Sequence, residues 1–328
     1  MNIVVVGLGS MGRRRIRLLK QISKELIITG VDSKKDRRKQ VEEEFDITTM
    51  DSLENALTAI NPECVIVSTS PLSHATIIEK CLLHGCNVFT ELNLVNTGYE
   101  TNIKLAEDKN KVLFLSSTFL YREEISYIND KISSAAGTLN YAYHVGQYLP
   151  DWHPWENINE YFVGDKRTNG CRELFAIELP WLIKVFGDIK SFSVLSSKNS
   201  KLPINYNDNY MLVIEHGNGN KGMLAVDVIS RKAVRNLEIF GEDLYLIWNG
   251  SPTGLKVFNY EDKVEEVINL YDNIDKKEGY ASFIIENAYK NELISFLEEV
   301  KGIKSARYSF KKDIKVLEII DQIEGENI

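Results

Sequence analysis

Three glycines near the start of the chain have the spacing that dinucleotide phosphates require. Gly7, Gly9 and Gly12 lie in VVVGLGSMGRRR, after an apolar run that predicts a strand and before a stretch with helical spacing. The first glycine would allow a tight turn, the second a close approach of a pyrophosphate, and the third close packing of helix on strand. The phosphates would bind at the helix N-terminus, where backbone N–H groups have no partner within the helix.

A carboxylate follows at the distance expected for ribose recognition. Asp32 closes the second predicted strand, 20 residues after Gly12, and could hold the ribose hydroxyls. Because a carboxylate repels a 2′-phosphate, Asp32 favours NAD, with NADP as the less favoured cofactor. Lys34, Lys35 and Arg37 could reach such a phosphate, or they could form the solvated start of a helix. A glycine turn without a ligand would explain the glycines but not the acidic residue at this spacing.

A second carboxylate lies at the end of a buried strand. Glu91 follows the apolar run in VFTELNLVN, at a place where an enzyme commonly has a proton-transfer group. Two interpretations are open: Glu91 could act as a base if desolvation made it a better proton acceptor, or it could accept hydrogen bonds from loop N–H groups. The next side chain is Leu92, which cannot accept a proton.

A polar and aromatic segment over residues 147–172 offers further candidates. Trp152 and Trp155 present aromatic faces that suit a sugar or nucleotide-sugar ring, and His153 between them would be a proton shuttle or a substrate contact. In the alternative interpretation, the tryptophans anchor a long loop or a subunit contact and His153 is exposed. Both interpretations stay open.

Charged residues follow the aromatic ones. Arg172 and Glu173 precede a helix predicted over residues 178–187 and are predicted substrate contacts, whereas Lys166 and Arg167 fit an ordinary charged loop better than a phosphate site. Glu178 lies among apolar residues of that helix, so it is either at a site or paired in the core. The cost of an unpaired buried carboxylate favours the site.

The elements that must position these residues fall into two patterns. Up to residue 120, continuous apolar strands alternate with amphipathic helices, which predicts a parallel sheet covered on both faces. Beyond it, alternating runs predict a mostly antiparallel sheet with helices on one side, followed by closing helices over 282–302 and 310–325. The predicted fold is therefore α/β, with a dinucleotide-binding domain over 1–120 and a substrate-binding and oligomerisation domain over 121–328. The last helix could pack back on the first domain.

Composition argues against several classes of partner. The chain has 328 residues and a net charge of −8, whereas nucleic acid or an anionic membrane would need a basic face. The basic cluster GRRRIR lies on the predicted first helix and is interpreted as solvated or phosphate-facing. The cysteines lack C-x-x-C spacing, which predicts reduced thiols and no metal site. The chain opens on a strand and has no apolar run of membrane-spanning length, so a cytoplasmic protein is predicted.

One long stretch is more specific than the glycines. NPECVIVSTSPLSHATIIEKCLLHGCNVFTELNL resembles the signature region of the Gfo/Idh/MocA family of oxidoreductases. Residues 68–71 stand at the family's Ala-Thr-Pro-like turn, His74 begins the next helix, and residues 91–93 stand at its Glu-Lys-Pro. The likeness extends over the whole chain, including the Phe-Gly at 186–187. It implies a Rossmann domain, a second domain with an open sheet, and NAD(P)-dependent chemistry on CH–OH groups.

The resemblance also implies a set of cofactor contacts. With the glycine pattern, it assigns these contacts to Gly7, Gly9, Ser10, Met11, Gly12, Asp32, Ser33, Thr69, Pro71, His74 and Glu91. An open sheet with one bare face suggests self-association, and the family relationship implies a homodimer or homotetramer.

The family's usual proton-transfer residues are missing. The family uses the lysine of Glu-Lys-Pro, and an aspartate and a histidine from a G-G-x-x-x-D-x-x-x-H-x-x-D-like segment. Here the lysine position holds Leu92, the histidine position Ile177 and the second aspartate position Pro180. Losing acid–base help typically costs about 10² to 10⁴ in rate, whereas dinucleotide binding does not depend on these side chains. His153, Glu178 and Glu91 are the predicted replacements.

Three functions are compatible with this pattern. The first is an oxidoreductase of a sugar, amino sugar or nucleotide sugar with unusual proton chemistry, and LPDWHPWE resembles a segment of the family's polysaccharide and surface-sugar branch. The second is a catalytically silent dinucleotide-binding partner or regulatory protein. The third is a redox-neutral enzyme that uses bound NAD transiently.

Overall fold

The computed structural model describes residues 1–276 and 283–325, and it divides the chain into two compact units. Unit 1 comprises Met1–Thr118 and Tyr289–Leu317, and unit 2 comprises Phe119–Ala288 and Glu318–Ile328. The sequence prediction divided the chain once, at residue 120, whereas each unit consists of two separate segments.

Unit 1 is built on a parallel sheet with helices between its strands. The strands are β1 (Asn2–Val6), β2 (Ile27–Val31), β3 (Thr48–Met50), β4 (Cys64–Val67), β5 (Asn87–Thr90) and β6 (Leu113–Leu115). The helices are α1 (Ser10–Ile22), α2 (Lys35–Phe45), α3 (Leu53–Ile60), α4 (His74–Leu83) and α5 (Tyr99–Asp108). The strand order is β3-β2-β1-β4-β5-β6, so β1 and β4 flank the point where the order reverses. Ligands of doubly wound sheets bind at such a point, beyond the carboxyl ends of the strands.

The turn from β1 to α1 depends on two glycines. Gly7 has a φ of +89°, a conformation that disfavours a side chain, and its N–H donates to Val31 O at 2.8 Å. A Cβ on Gly12 would lie 1.8 Å from Gly7 O, so the helix can approach the turn only because that atom is absent. A Cβ on Gly9 would meet only Arg37 Nη1, at 3.8 Å. The first and third glycines are thus required by packing, whereas the middle one faces open space.

Unit 2 is built on a mostly antiparallel sheet. Its strands are β7 (Asn140–Gly146), β8 (Ile189–Ser197), β9 (Asn209–His216), β10 (Lys221–Asp227), β11 (Val234–Phe240), β12 (Tyr245–Trp248), β13 (Leu255–Asn259) and β14 (Val264–Val267). The order is β14-β13-β12-β11-β7-β10-β9-β8, in which β7 and β10 are parallel and the other neighbours antiparallel. The two predicted sheets are therefore confirmed.

Helices complete the chain. They are α6 (Glu123–Ser134), α7 (Gly170–Phe186), α8 (Glu286–Val300) and α9 (Phe310–Glu324). The predicted helix over 282–302 corresponds to α8, and its first residue, Ser282, lies outside the described residues. The middle strands of unit 2 alternate buried and exposed residues, as in β9, because only one face of the sheet is packed against the core.

The helix predicted to begin at Glu178 begins instead at Gly170. Residues 170–177 were not predicted as part of this helix, and Pro180 lies inside α7. The helix begins earlier because Asn169 caps it: its Oδ1 accepts a hydrogen bond from Arg172 N at 2.8 Å. The preceding loop therefore ends at Asn169 and contains several short 3₁₀ turns.

The cysteines are buried free thiols, and burial raises the pKa of Cys86 to about 11. Within residues 1–276 and 283–325, no helix has the length and apolar character that crossing a membrane requires. In the same part of the chain, no group of three or more His, Cys, Asp or Glu side chains is arranged to hold a metal ion.

The glycine turn predicts different effects for two small substitutions. Gly12→Ala places a methyl group against the carbonyl of Gly7 and should lower the free energy of unfolding by about 3 kcal/mol. Gly9→Ala, the matched control, should lower it by about 1 kcal/mol or less, because its methyl group meets no backbone atom. Urea denaturation of both variants measures the difference, and equal losses would contradict the packing argument.

Candidate functional site

The N-terminus of α1 offers an anion site in unit 1. Gly9 is the N-cap residue and has no side chain to bond the first-turn N–H groups of this 13-residue helix. The open space at its Cβ position gives a ligand access to the backbone, and the helix dipole favours negative charge there. This arrangement fits a dinucleotide pyrophosphate.

Asp32 follows β2 beside the same turn. Its Oδ2 accepts a hydrogen bond from Leu8 N at 2.9 Å, and its Oδ1 accepts one from Lys34 N at 2.8 Å. Arg37 Nη1 lies 3.6 Å from Oδ2, so a cation is next to the carboxylate. Each oxygen keeps a lone pair for a ribose hydroxyl, and the negative charge disfavours a 2′-phosphate.

His74 joins two loops at the carboxyl ends of β4 and β5. Its Nε2 lies 2.9 Å from Thr69 O and its Nδ1 lies 2.6 Å from Asn93 Oδ1. His74 is only 1% exposed, and burial lowers the pKa of its imidazole. His74 therefore positions the loop that carries Thr69, and its predicted contact with the cofactor would be indirect.

Arg15 lies at the centre of a buried ion cluster in unit 1. Its Nε donates to Glu91 Oε1 at 2.6 Å, and its Nη2 donates to Glu91 Oε2 at 2.9 Å and to Glu292 Oε2, on α8, at 2.8 Å. Burial by itself lowers the pKa of Arg15, but Glu91 and Glu292 outweigh it and raise that pKa. The interpretation of GRRRIR as solvated or phosphate-facing is thus wrong for Arg15, whose side chain has no exposed area.

Glu292 has a dense set of donors around it. Its Oε1 accepts from Ser116 Oγ at 3.0 Å and from Ser117 N at 2.7 Å, and its Oε2 accepts from Thr118 Oγ1 at 3.1 Å. Burial raises the pKa of Glu292, and Arg15 opposes that rise. The cluster thereby ties α8 to α1 and to the segment after β6.

This cluster corrects the proposed base role of Glu91. Both carboxylate oxygens accept hydrogen bonds from Arg15, and Oε1 also accepts one from Ser68 Oγ at 3.3 Å. A base that abstracts a substrate proton needs an unoccupied oxygen, and Glu91 instead holds the end of β5 in place. Leu92, at the family's lysine position, is half-buried beside it.

Glu178 is paired in the core of unit 2. Its Oε2 accepts hydrogen bonds from Tyr143 Oη at 2.7 Å and Trp181 Nε1 at 2.6 Å, and its Oε1 accepts one from Arg235 Nε at 2.9 Å. The side chain has no exposed area. The sequence favoured a site role because an unpaired carboxylate would be costly, but Glu178 is fully paired, which assigns it to the core.

Arg172 is also engaged within unit 2. Its Nη2 donates to Asp321 Oδ1 at 2.6 Å, and its Nη1 donates to Glu324 Oε2. Asn169 Nδ2 donates to Glu324 Oε1 at 2.6 Å, which ties the start of α7 to the end of α9. The predicted contact of Arg172 with a substrate anion would have to displace these carboxylates.

The aromatic loop forms a stack of rings. His153 lies parallel to Tyr161, with centroids 4.6 Å apart and an interplanar angle of 4°, and it also stacks on Trp155 at 5.3 Å. His153 Nδ1 lies 2.7 Å from Glu156 Oε2. Trp155 is 73% exposed, so its outer face is available to a ligand. The roles of His153, Trp152 and Trp155 in substrate binding stay predictions.

Glu173, in the first turn of α7, differs from every carboxylate described above. Its Oε2 is buried and has no hydrogen-bond partner among the described residues. Burial raises the pKa of Glu173 from an ordinary 4.5 to about 7, against the opposing charge of Arg235. Tyr161 Oη is likewise buried without a hydrogen-bond partner among the described residues. The pKa of Tyr161 is raised, first by burial and next by the negative charge of Glu173. Shifts of this kind are common at functional sites.

From the sequence, Glu173 is predicted to contact the substrate and has no predicted role in proton transfer. The signal was present in the family's pattern, in which the first aspartate lies four residues before the histidine. With Ile177 at the histidine position, the aspartate position falls on Glu173. Proton-accepting groups are therefore missing at Leu92, Ile177 and Pro180, but a carboxylate is retained at Glu173.

Known structures share the fold across almost the whole chain. Levoglucosan dehydrogenase in complex with NADH and levoglucosan is 14% identical, with a TM-score of 0.81, and 99% of this chain and 96% of that chain are covered. UDP-N-acetylglucosamine 3-dehydrogenase GnnA from Acidithiobacillus ferrooxidans is 16% identical, with a TM-score of 0.75 and coverage of 99% and 97%. GenD2 from gentamicin A biosynthesis, in complex with NAD, is 16% identical, with a TM-score of 0.77 and coverage of 99% and 93%.

The family relationship comes from the N-terminal part of the chain. No curated protein is similar enough to this chain to match. Residues 1–116 match the oxidoreductase family described by its NAD-binding Rossmann fold, which confirms the resemblance seen in the sequence. The N-terminal 116 residues are therefore similar to the NAD-binding domain of the Gfo/Idh/MocA oxidoreductases.

Proposed function

We propose that this protein is an NAD-dependent oxidoreductase that acts on a CH–OH group of a sugar, with Glu173 as its proton-transferring residue. The observation that carries the proposal is Glu173 Oε2, which is buried without a hydrogen-bond partner among the described residues, and the pKa of Glu173, about 7, suits a general base at neutral pH. Solved structures of similar fold include enzymes whose names specify sugars or nucleotide sugars, which supports this substrate class.

The cofactor assignment rests on three features of unit 1. These are the open backbone at Gly9, the uncapped start of α1, and the carboxylate of Asp32. Bound NAD would supply the hydride acceptor for alcohol oxidation. Gly9 and the helix N-terminus would hold its phosphates, and Asp32 would hold the adenosine ribose.

The proton chemistry would belong to Glu173. In oxidation, its carboxylate would accept the hydroxyl proton as the carbon loses hydride, and in reduction it would return that proton to the carbonyl oxygen. Tyr161 lies within the electrostatic influence of Glu173 and could donate a hydrogen bond to a substrate oxygen. His153, held by Glu156, would bind the sugar rather than act as the base.

The catalytically silent alternative is favoured by the apolar residues at the family's lysine and histidine positions, Leu92 and Ile177. Purified protein mixed with NAD⁺ and a broad sugar panel separates the alternatives by absorbance at 340 nm. Turnover with NADH formation supports the oxidoreductase, and NAD binding without turnover supports a silent partner. Product formation without net NADH would indicate a redox-neutral enzyme.

We also propose that two copies associate through the open face of the unit 2 sheet. Leu195, Met211, Val213 and Met223 are each more than half exposed, on adjacent strands β8, β9 and β10. The register places Val213 opposite Met223 and Met211 opposite Leu195, so the side chains form one apolar patch. Patches of this kind commonly mark association surfaces, and a second copy would present the same patch.

Replacing Glu173 by glutamine should abolish the proton acceptor and keep the shape of the side chain. We expect kcat/KM to fall by about 10² to 10⁴ with NAD affinity unchanged. In the parent protein, the oxidation rate should decrease as the pH falls below about 7, because Glu173 becomes protonated. Glu242→Gln, at an exposed turn, is the matched control. An unaltered pH profile in Glu173→Gln would exclude Glu173 as the base.

The same substitution predicts a gain in stability that depends on pH. Because the pKa of Glu173 is higher in the folded than in the unfolded chain, stability is lost as the pH rises from 4.5 through about 7. Glu173→Gln removes this loss, so its Tm should exceed that of the parent at pH 8 and approach it at pH 5. If Glu173→Gln and the parent differ in Tm by the same amount at pH 5 and at pH 8, burial does not destabilise the charged form of Glu173.

Charge placed on the apolar patch should prevent association. Met211→Lys is expected to convert the oligomer to a monomer, because pairing two copies would bury an unpaired cation. Ile303→Lys, on an exposed residue of unit 1, is the matched control and should leave the mass unchanged. Light scattering coupled to size-exclusion chromatography measures both, and an oligomer that survives Met211→Lys would place the interface elsewhere.

A further inference from the structure

A small cavity in unit 1 lies between α4, α5 and the segment that follows β5. Among the residues that line it are Ala75, Ile78, Asn93, Val95, Tyr99 and Asn102. The centre of a water molecule can occupy about 10 Å³ of this space. Pockets for drug-sized ligands have about 300–1,000 Å³, so this cavity is large enough for a water molecule and too small for a sugar or a nucleotide.

Two asparagine side chains in the cavity wall each have one buried atom without a hydrogen-bond partner among the described residues. These atoms are Asn93 Nδ2, a donor, and Asn102 Oδ1, an acceptor. Both residues are 2% exposed. The other atom of each amide is engaged, since Asn93 Oδ1 lies 2.6 Å from His74 Nδ1 and Asn102 Nδ2 donates to Ala75 O at 3.0 Å. A buried donor and a buried acceptor therefore remain at one small cavity, and leaving either unpaired destabilises the fold.

The Asn93 amide acts on Tyr99, which is also part of the cavity wall. Burial and the charge of Asp313 raise the pKa of Tyr99, and the Asn93 amide opposes that rise. Tyr99 Oη donates its hydrogen to Asp313 Oδ2 at 2.5 Å, so Tyr99 cannot supply the hydrogen that Asn102 Oδ1 lacks. A further molecule is needed to satisfy both amides.

The chemistry of the cavity wall matches water. The oxygen of a water molecule would accept the hydrogen from Asn93 Nδ2, and one of its hydrogens would be donated to Asn102 Oδ1. Among the described residues, the nine that line the cavity include no Asp, Glu, Lys, Arg or His, so an ion would have no counter-charge there. Polar cavities of this size hold water, whereas apolar ones stay dry.

We propose that one ordered water molecule occupies this cavity and bridges Asn93 Nδ2 to Asn102 Oδ1. The bridge completes a chain of polar contacts from Asn102 on α5 through Asn93 to His74, whose Nε2 lies 2.9 Å from Thr69 O. Position 93 holds a proline in the family's Glu-Lys-Pro pattern, and proline has no side-chain amide to make these contacts. Because Thr69 is a predicted cofactor contact, the water is a positioning group for the proposed NAD site, and this consequence rests on the proposed function.

Electron density from crystals of the full chain, grown without NAD⁺ and with it, tests the water site directly. We expect one solvent peak within about 3.2 Å of both Asn93 Nδ2 and Asn102 Oδ1. An empty cavity would overturn the proposal. So would a direct hydrogen bond from Asn93 Nδ2 to Tyr99 Oη in place of the solvent contact.

Two substitutions at Asn102 separate the water from the bond to Ala75 O, because both remove that bond. Asn102→Leu also removes the acceptor, so the solvent peak should disappear and the Kd for NAD⁺ should rise about 2- to 30-fold. Asn102→Asp keeps an acceptor oxygen and should keep both the peak and the affinity of the parent. Asn55→Leu, at an exposed residue of α3, is the matched control and should change neither.

The outcomes distinguish this inference from the proposed function. A solvent peak that persists at Asn93 in Asn102→Leu would show that the water does not bridge the two amides. Equal losses of NAD⁺ affinity in Asn102→Leu and Asn102→Asp would assign the effect to the bond with Ala75 and refute the positioning role. A parent protein that has the peak and binds no NAD⁺ would refute the proposed function and confirm the water bridge. Turnover of a sugar by a protein whose cavity is empty would refute the bridge alone.

Discussion

The buried pairing of Arg15 with Glu91 and Glu292 is the interaction on which the organisation of unit 1 depends. One guanidinium bonds the end of β5 and a helix from the far end of the chain, and it lies on the helix that begins at the glycine turn. Removing one partner of such a pair typically costs about 3–5 kcal/mol, since the other charge is left buried. The position of α1, whose N-terminus is the proposed dinucleotide site, is therefore held by buried charges that a ligand at Gly9 need not contact.

Glu178 and Glu173 lie on the same helix and differ in role: Glu178 is paired in the core, and Glu173 is the proposed proton acceptor. Both carboxylates lie on α7 and both are within reach of Arg235, which bonds Glu178 and acts electrostatically on Glu173. Glu178 has a hydrogen bond to each oxygen, so its charge is compensated. Glu173 lacks such a bond at Oε2, and burial raises its pKa to about 7, so it is about half protonated at neutral pH. The difference comes from neighbours supplied by other elements.

Much of the fold could be predicted because local patterns encode it. Continuous apolar runs such as β1 and β4 identify a parallel sheet, and the alternation in β9 identifies a half-exposed one. The early start of α7, at Gly170, was not predicted. Its true start depends on one capping side chain, Asn169.

The residues of the proposed dinucleotide site could be named from the sequence, and those of the proposed substrate site much less so. Gly7, Gly9, Gly12 and Asp32 have a fixed spacing along the chain, which is the signal that predicts them. The most distant carboxylate partners of Arg15 and Arg172 are 277 and 152 residues away, and no local pattern indicates such a distance. The pKa of Glu173 could not be predicted for the same reason, since it is set by burial against elements that are distant in the sequence.

The bond between Asn169 and Glu324 has a consequence for the order of events during synthesis. The two residues are 155 positions apart, so the start of α7 cannot acquire its final partners until that much more of the chain has been made. The same holds for unit 1, because Arg15 cannot pair with Glu292 until Glu292 has been synthesised. Neither unit can finish folding while only its first segment has left the ribosome, although domains usually fold one after the other. The growing chain thus carries two incomplete cores until its last segments have been synthesised.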